Sequence, residues 1–174
     1  MRRAVSLAAL VVVLATGAAG AAPLDCPLVR AVYAPIDADD DWSADDGVTN
    51  AWEITHVPRT DTPSDRPWVI RLAENRQKLF AEFAVAHPPG FGGAHVFMVK
   101  PPTGKRVPVT DAPSAALYYF ADDLKRLDPA AEGDPKAPPY LQLPGLSGAF
   151  WRGKRDGRRF VPPDGIWKLA ACRP

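Results

Sequence analysis

One stretch of the chain is so rich in aspartate that cation binding is the first chemistry to consider. Six carboxylates fall within the eleven residues 37–47. Extracellular calcium favours carboxylate and carbonyl oxygens on a flexible loop, and alternate aspartates open an EF-hand loop. The candidate ligands are Asp37, Asp39, Asp41, Asp45 and Asp46. However, Trp42 stands where that loop needs glycine and Val48 where it needs glutamate. We therefore expect a solvated acidic loop, with calcium binding as the alternative.

A second segment, near the C-terminus, carries the opposite charge. Five cations lie within residues 152–159, and aromatic residues flank them. The candidate contact residues are Arg152, Lys154, Arg155, Arg158 and Arg159, with the neighbouring Trp151. Such a cluster suits a phosphate, a polyanion or an acidic protein surface. Two alternatives are charges that protect an edge strand and a mutual neutralisation of the acidic and basic segments.

Residue types that serve in catalysis are present, but not at the spacing that known motifs require. His56, His87 and His95 form neither His-x-x-x-His nor Glu-x-x-His, so a zinc site would have to be assembled from distant strands. The segment 145–149 lacks the second glycine of a nucleophile elbow, and no histidine follows Ser147.

A pair of carboxylates is the one catalytic device that spacing does not test, because two acids can meet from anywhere in a fold. Glu53 and Glu82 are the glutamates within strand-like segments. They give the alternative function, a carboxylate-dependent hydrolase that acts on an envelope polymer.

Residues 1–22 have the order of a secretory signal peptide. Two arginines open the segment, an apolar run extends from Ala4 to about Ala15, and small residues follow. The apolar run is shorter than the ~20 residues that span a bilayer. We expect cleavage just before Pro23 or one residue earlier, and a periplasmic or extracellular mature chain, residues 23–174, without a transmembrane anchor.

Two cysteines, Cys26 and Cys172, would then enter an oxidising compartment, where an even number usually means a disulfide. Their pairing would tie the ends of the mature chain and stabilise it by roughly 4–5 kcal/mol in the chain-entropy model. The alternatives are redox-active or intermolecular cysteines and a lipid anchor on Cys26. The residues 23–25 argue against the anchor, because lipoprotein processing needs small residues before the cysteine.

Composition bounds the fold and the partners. The chain has 174 residues, of which 47% are hydrophobic and 24% charged, enough for one ordinary domain. All 20 prolines lie from Pro23 onward, which disfavours long helices. Without Arg2 and Arg3, 19 basic residues face 20 acidic ones, so the mature chain has no net field to attract nucleic acid.

Alternating apolar residues predict strands. The predicted strands are residues 28–33, 51–57, 68–72, 95–99 and 166–172. Residues 74–86 fit a hairpin or a helix, and the hairpin is favoured because the neighbours are short strands. Residues 121–127 are predicted as a helix, and residues 150–161 as a hairpin around Asp156-Gly157.

The five tryptophans divide between core and surface. Trp52, Trp68 and Trp167 lie in strand-like alternation and are predicted in the core, with His56 on the same face as Trp52. Trp42 and Trp151 adjoin the charged segments and are the surface candidates.

These patterns predict a mainly β fold: a single antiparallel β-sandwich or partly closed barrel with one short helix and its ends tied by a disulfide. We expect a non-catalytic binding or accessory domain whose partner is an envelope or extracellular protein or an anionic ligand. Calcium is the one cofactor considered. A purely structural role in an envelope assembly would instead require a large exposed apolar patch.

Overall fold

The structure, a computed structural model, describes residues 25–36, 51–59, 64, 66–87, 93–102, 114–128, 135–151 and 160–174. These residues form ten strands, a short 3₁₀ turn at Leu28–Arg30 and one short helix, α1, at Leu146–Trp151. The strands are β1 (Ala31–Pro35), β2 (Trp52–Pro58), β3 (Trp68–Glu74), β4 (Leu79–Ala86), β5 (His95–Lys100), β6 (Ser114–Ala116), β7 (Tyr118–Phe120), β8 (Arg126–Leu127), β9 (Tyr140–Gln142) and β10 (Ile166–Cys172).

All ten strands belong to one antiparallel sheet in the order β6-β5-β4-β3-β2-β1-β10-β9-β7-β8. Leu117 alone separates β6 from β7, although these strands lie near opposite ends of that order. One residue spans less than about 4 Å, so the sheet must curl. The result is a half-barrel, and the predicted mainly β class is confirmed.

Alternating side chains place the core on the inner face of the curled sheet. β3 buries Trp68, Ile70 and Leu72 on that face, and β4 buries Phe83 and Val85 beside them. Trp167 is also buried, while Trp52 is half-buried and packs against the core. The predicted core positions of these tryptophans are confirmed.

The predicted hairpin at residues 74–86 is confirmed. β3 ends at Glu74, and β4 begins at Leu79 after a four-residue turn. Within the turn, the Glu74 carboxylate accepts the Gln77 backbone N–H at 2.6 Å. Lys78 has a φ of 54°, the left-handed conformation that tight hairpins use. The helix formers of this stretch are overridden by strand pairing on both sides.

The helix predicted at residues 121–127 is wrong, since this stretch is a tight turn followed by β8. The Ala121 N–H donates to the Lys125 carbonyl oxygen at 2.9 Å, and Leu124 has a φ of 61°. The Asp123 carboxylate accepts the Lys125 N–H at 3.1 Å. A short polar side chain that binds the backbone in this way competes with helical hydrogen bonding.

The predicted strand arm at Phe150-Trp151 is also wrong, because both residues belong to α1. Leu146 and Phe150 have the i, i+4 spacing of one helix face. Leu146 is buried, and Phe150 packs against the core. Gly145 precedes the helix with a φ of +78°, which costs glycine little.

The predicted disulfide is confirmed. Cys26 is bonded to Cys172, with Cα atoms 5.7 Å apart and a sequence separation of 146 residues. It joins the segment before the 3₁₀ turn to the last residue of β10, directly opposite Ala31 of β1. Among the residues described, no helix has the length and apolar character needed to cross a bilayer.

Candidate functional site

Antiparallel pairing sorts the connections between strands into two ends of the sheet. The β1–β2, β3–β4 and β9–β10 connections leave it at one end, and the β2–β3, β4–β5 and β7–β8 connections at the other. We call the first the aromatic end, defined by Trp52, Phe150 and Phe160. The second is the polar end, defined by the side chains of Arg66, His87, Tyr119 and Asp128 together with His56.

The polar end begins in the core with a hydrogen bond between two strands. The His56 Nε2 atom on β2 lies 2.7 Å from the Tyr119 hydroxyl on β7, and both side chains are buried. The His56 ring also packs edge-on against Trp68, at 4.7 Å between ring centroids, and against Tyr33, at 5.8 Å. The Tyr33 hydroxyl donates to the Pro138 carbonyl oxygen at 2.8 Å. These contacts join the strands β1, β2, β3 and β7 and the segment before β9.

Burial keeps His56, Tyr33 and Tyr119 uncharged. Loss of hydration lowers the pKa of His56 to about 3 and raises the pKa values of Tyr33 and Tyr119 above their ordinary range. His56 is therefore a neutral imidazole at physiological pH. Its Nδ1 atom and the Trp68 Nε1 atom are buried and find no hydrogen-bond partner among the residues that the structure describes.

Charged groups lie beside the neutral cluster. The Arg66 side chain is only 9% exposed, and its Nη2 atom donates to Asp128 Oδ1 at 2.5 Å. The same nitrogen lies 3.2 Å from His87 Nε2. The charges of Arg66 and Asp128 also act on Tyr119. The pKa of Tyr119 is raised mainly by burial, while Arg66 lowers it and Asp128 raises it by smaller amounts. Asp128 itself is 70% exposed, so this group of side chains extends from the core to solvent.

The position of Arg66 is fixed by Ser64. The Ser64 hydroxyl oxygen accepts the Arg66 N–H at 3.3 Å and the Val85 N–H at 3.1 Å. The Arg59 N–H donates to the Pro67 carbonyl oxygen at 2.9 Å at the base of the same connection. Ser64 thus holds the β2–β3 connection against β4 and fixes the backbone of Arg66.

The aromatic end is closed by rings. Phe160 lies 4.9 Å from Trp52 and 5.0 Å from Phe150, measured between ring centroids. Phe150 in turn lies 6.2 Å from Phe83, which is fully buried. Edge-to-face pairs of this kind stabilise a fold through both apolar burial and the ring quadrupoles. Helix α1 supplies one of these rings and covers this end of the core.

Both charged segments predicted as sites lie outside the described residues, as does Trp42, and the side chain of Trp151 is not described either. The described residues next to these segments show at which end of the sheet the segments connect. The Ile36 N–H, just before the acidic segment, donates to the Ile166 carbonyl oxygen at 3.0 Å. Trp52 follows the acidic segment closely and contacts Phe160, which directly follows the basic one. Both segments therefore connect to the aromatic end.

The candidate catalytic residues Glu53, Glu82 and Ser147 make contacts with other residues of the chain. Glu53 lies 3.1 Å from Arg173, and Glu82 lies 2.6 Å from Arg71. Ser147 donates to Asp164 on an exposed surface, without a histidine in the contact. Within the part of the chain that the structure covers, no group of three His, Cys, Asp or Glu side chains is placed to hold a metal ion.

Sequence reasoning missed Arg66, His87 and Asp128, which lie in or beside connections that carry no motif. It also missed Tyr119, for which one signal existed: a histidine on the inner face of a predicted strand needs a buried partner. The partner proved to be Tyr119, 63 residues away.

Comparison with models of protein families, with curated protein sequences and with solved structures found no match to this chain.

Proposed function

We propose that the protein is an exported, non-catalytic binding domain that holds an anionic partner, an envelope or extracellular protein or an anionic ligand, through the basic segment 152–159. The observation that carries this proposal is the contact between Phe150 and Phe160, whose ring centroids are 5.0 Å apart. These rings flank a segment with five cations. Packing of the two rings holds the ends of the segment together. The entropic cost of closing this loop is therefore met on folding and does not weaken binding of the partner.

Export is supported by the disulfide and by the N-terminal sequence. The Cys26–Cys172 bond suits an oxidising compartment. Residues 1–22 have the order of a signal peptide. Together they favour the periplasm or the extracellular space.

The hydrolase alternative receives no support from the two glutamates that suggested it. A glycosidase needs two carboxyl groups facing one substrate, with one of them protonated. Glu53 and Glu82 instead each pair with a different arginine, Arg173 and Arg71. The binding proposal therefore leads.

The test measures binding of dextran sulfate, a polyanion, to the oxidised mature chain by isothermal titration calorimetry. The decisive variant carries Arg155→Ser, Arg158→Ser and Arg159→Ser. A matched variant removes three cations that are exposed elsewhere, Arg30→Ser, Lys125→Ser and Lys136→Ser. Both variants lose the same net charge, so only a local effect separates them.

We expect the first variant to lose binding at 0.15 M salt with an unchanged Tm, and the matched variant to retain it. Native binding should weaken as salt rises, because exposed charges are screened within about 8 Å at this ionic strength. Equal binding by both variants would contradict the proposal. A lower Tm in the first variant, with polyanion binding unchanged, would show that the acidic and basic segments neutralise each other.

A further inference from the structure

We propose that the polar end contains a second, distinct binding site in which Arg66 receives the carboxylate of a ligand, and that the Asp128 carboxylate occupies this position when no ligand is bound. The inference concerns the opposite end of the sheet from the basic segment. It does not depend on the partner proposed above.

The two members of the ion pair differ greatly in burial. The Arg66 side chain is 9% exposed, whereas that of Asp128 is 70% exposed. A buried guanidinium needs an anion, because its lost hydration is costly. An exposed carboxylate gains little from an ion pair, since water solvates it almost as well. Arg66 therefore requires an anion, while Asp128 can leave it at small cost.

The contact with Asp128 is not the geometry in which a guanidinium binds a carboxylate most strongly. Among the contacts described, Arg66 uses one nitrogen, Nη2, for both Asp128 Oδ1 and His87 Nε2. A guanidinium binds a free carboxylate most strongly through two parallel hydrogen bonds. Asp128 is tethered at the end of β8, whereas the carboxylate of a free ligand can align with two N–H groups of the guanidinium.

The site is held in place before any ligand arrives. Ser64 fixes the backbone of Arg66 against Val85, and the Tyr119 hydroxyl is fixed by His56. Such preorganisation increases affinity because little ordering is left for the binding step. The anion that Arg66 already binds is a carboxylate, which sets the ligand class as a carboxylic acid, either free or at the end of a peptide.

The experiment removes the internal carboxylate with Asp128→Asn, which alters an exposed side chain. Acetate is titrated into the oxidised mature protein at constant ionic strength, with chloride as the reference anion. NMR follows the Arg66 Nε–Hε signal and, in the variants that replace Arg66, the Val85 backbone N–H signal. A tripeptide with a free C-terminus and its amidated twin distinguish a peptide terminus from a free acid. Asp123→Asn is the matched control, because Asp123 is also exposed and ion-paired, with Lys125 at 2.7 Å.

We expect Asp128→Asn to bind acetate about tenfold more tightly than the native chain, because the tethered competitor is gone. Asp123→Asn should behave as the native chain does. Adding Arg66→Gln to Asp128→Asn should abolish binding, and Arg66→Lys, which keeps the charge, guards against loss of the fold. Equal acetate affinity in the native and Asp128→Asn proteins would overturn the proposal, as would binding that survives Arg66→Gln in a folded protein.

Discussion

The two ends of the curled sheet are closed by different forces. At the aromatic end, Trp52, Phe150 and Phe160 pack ring against ring. At the polar end, His56 and Tyr119 meet through a directional hydrogen bond. The disulfide joins the segment before the 3₁₀ turn to the end of β10. Apolar packing tolerates small shifts and is insensitive to pH, whereas a hydrogen bond weakens as its atoms depart from the preferred distance and angle.

This difference assigns different roles to the ends. The aromatic end is suited to support segments outside the core, since ring packing needs no exact alignment of polar atoms. The polar end is suited to selective recognition, because its groups are fixed in position and include a buried cation. The buried Nδ1 of His56 marks a stability cost there, which a purely apolar core would avoid.

The largest expected effect comes from removing the disulfide. Changing Cys26→Ser and Cys172→Ser together should lower the free energy of unfolding by roughly 4–5 kcal/mol in the chain-entropy model. Urea denaturation measures the loss, and hydrogen exchange locates it. Because this model places the effect in the unfolded chain, amides of β3 should lose protection together with those at Leu28–Arg30 and the end of β10. Loss confined to Leu28–Arg30 and the end of β10 would contradict the model.

The next effect tests the aromatic end. Phe160→Ala should lower the free energy of unfolding by about 3 kcal/mol, because it leaves a cavity between Trp52 and Phe150. Phe160→Leu is the control and should cost less than about 1.5 kcal/mol. Both are measured by urea denaturation. A loss below about 1 kcal/mol for the alanine variant would mean that these rings do not close the core.

The pH dependence of stability tests the polar end. His56 has a pKa of about 3 in the folded protein and about 6.5 when unfolded. Only the unfolded chain then binds this proton between the two values. The stabilisation is complete above about pH 6.5 and falls by up to about 1.4 kcal/mol per unit below it.

Urea denaturation between pH 7.5 and 5 measures this slope, above the range where most carboxylates titrate. His56→Phe should flatten it, whereas His95→Asn should not. An unchanged slope in His56→Phe would show that the imidazole is not the responsible group. Phe160→Ala should leave the slope as it is, since the aromatic end contributes no titrating ring.

The smallest effect compares one turn from each end. Leu124, 63% exposed, and Lys78 both have positive φ, 61° and 54°, a conformation that glycine adopts without steric cost. Leu124→Gly and Lys78→Gly should each raise the free energy of unfolding by about 1 kcal/mol or less. Thermal unfolding measures both. Destabilisation by Leu124→Gly would mean that its exposed side chain contributes packing.

The sequence predicts the parts of this fold that depend on local alternation. β2, β3 and β5 coincide closely with their patterned segments, and the two cysteines had one possible internal pairing. The helix at residues 121–127 fails because Asp123 binds the backbone of its own turn. The Arg66–Asp128 pair could not be predicted, because it joins connections 62 residues apart that only the curl of the sheet brings together.

The central claim is that partner binding belongs to the aromatic end. Hydrogen–deuterium exchange of the oxidised mature protein, with and without dextran sulfate, tests it most directly. The account predicts new protection in residues 143–165 and at Ala51-Trp52, with none in residues 66–68 or 118–128. Protection confined to the polar end, or absent throughout, would contradict it.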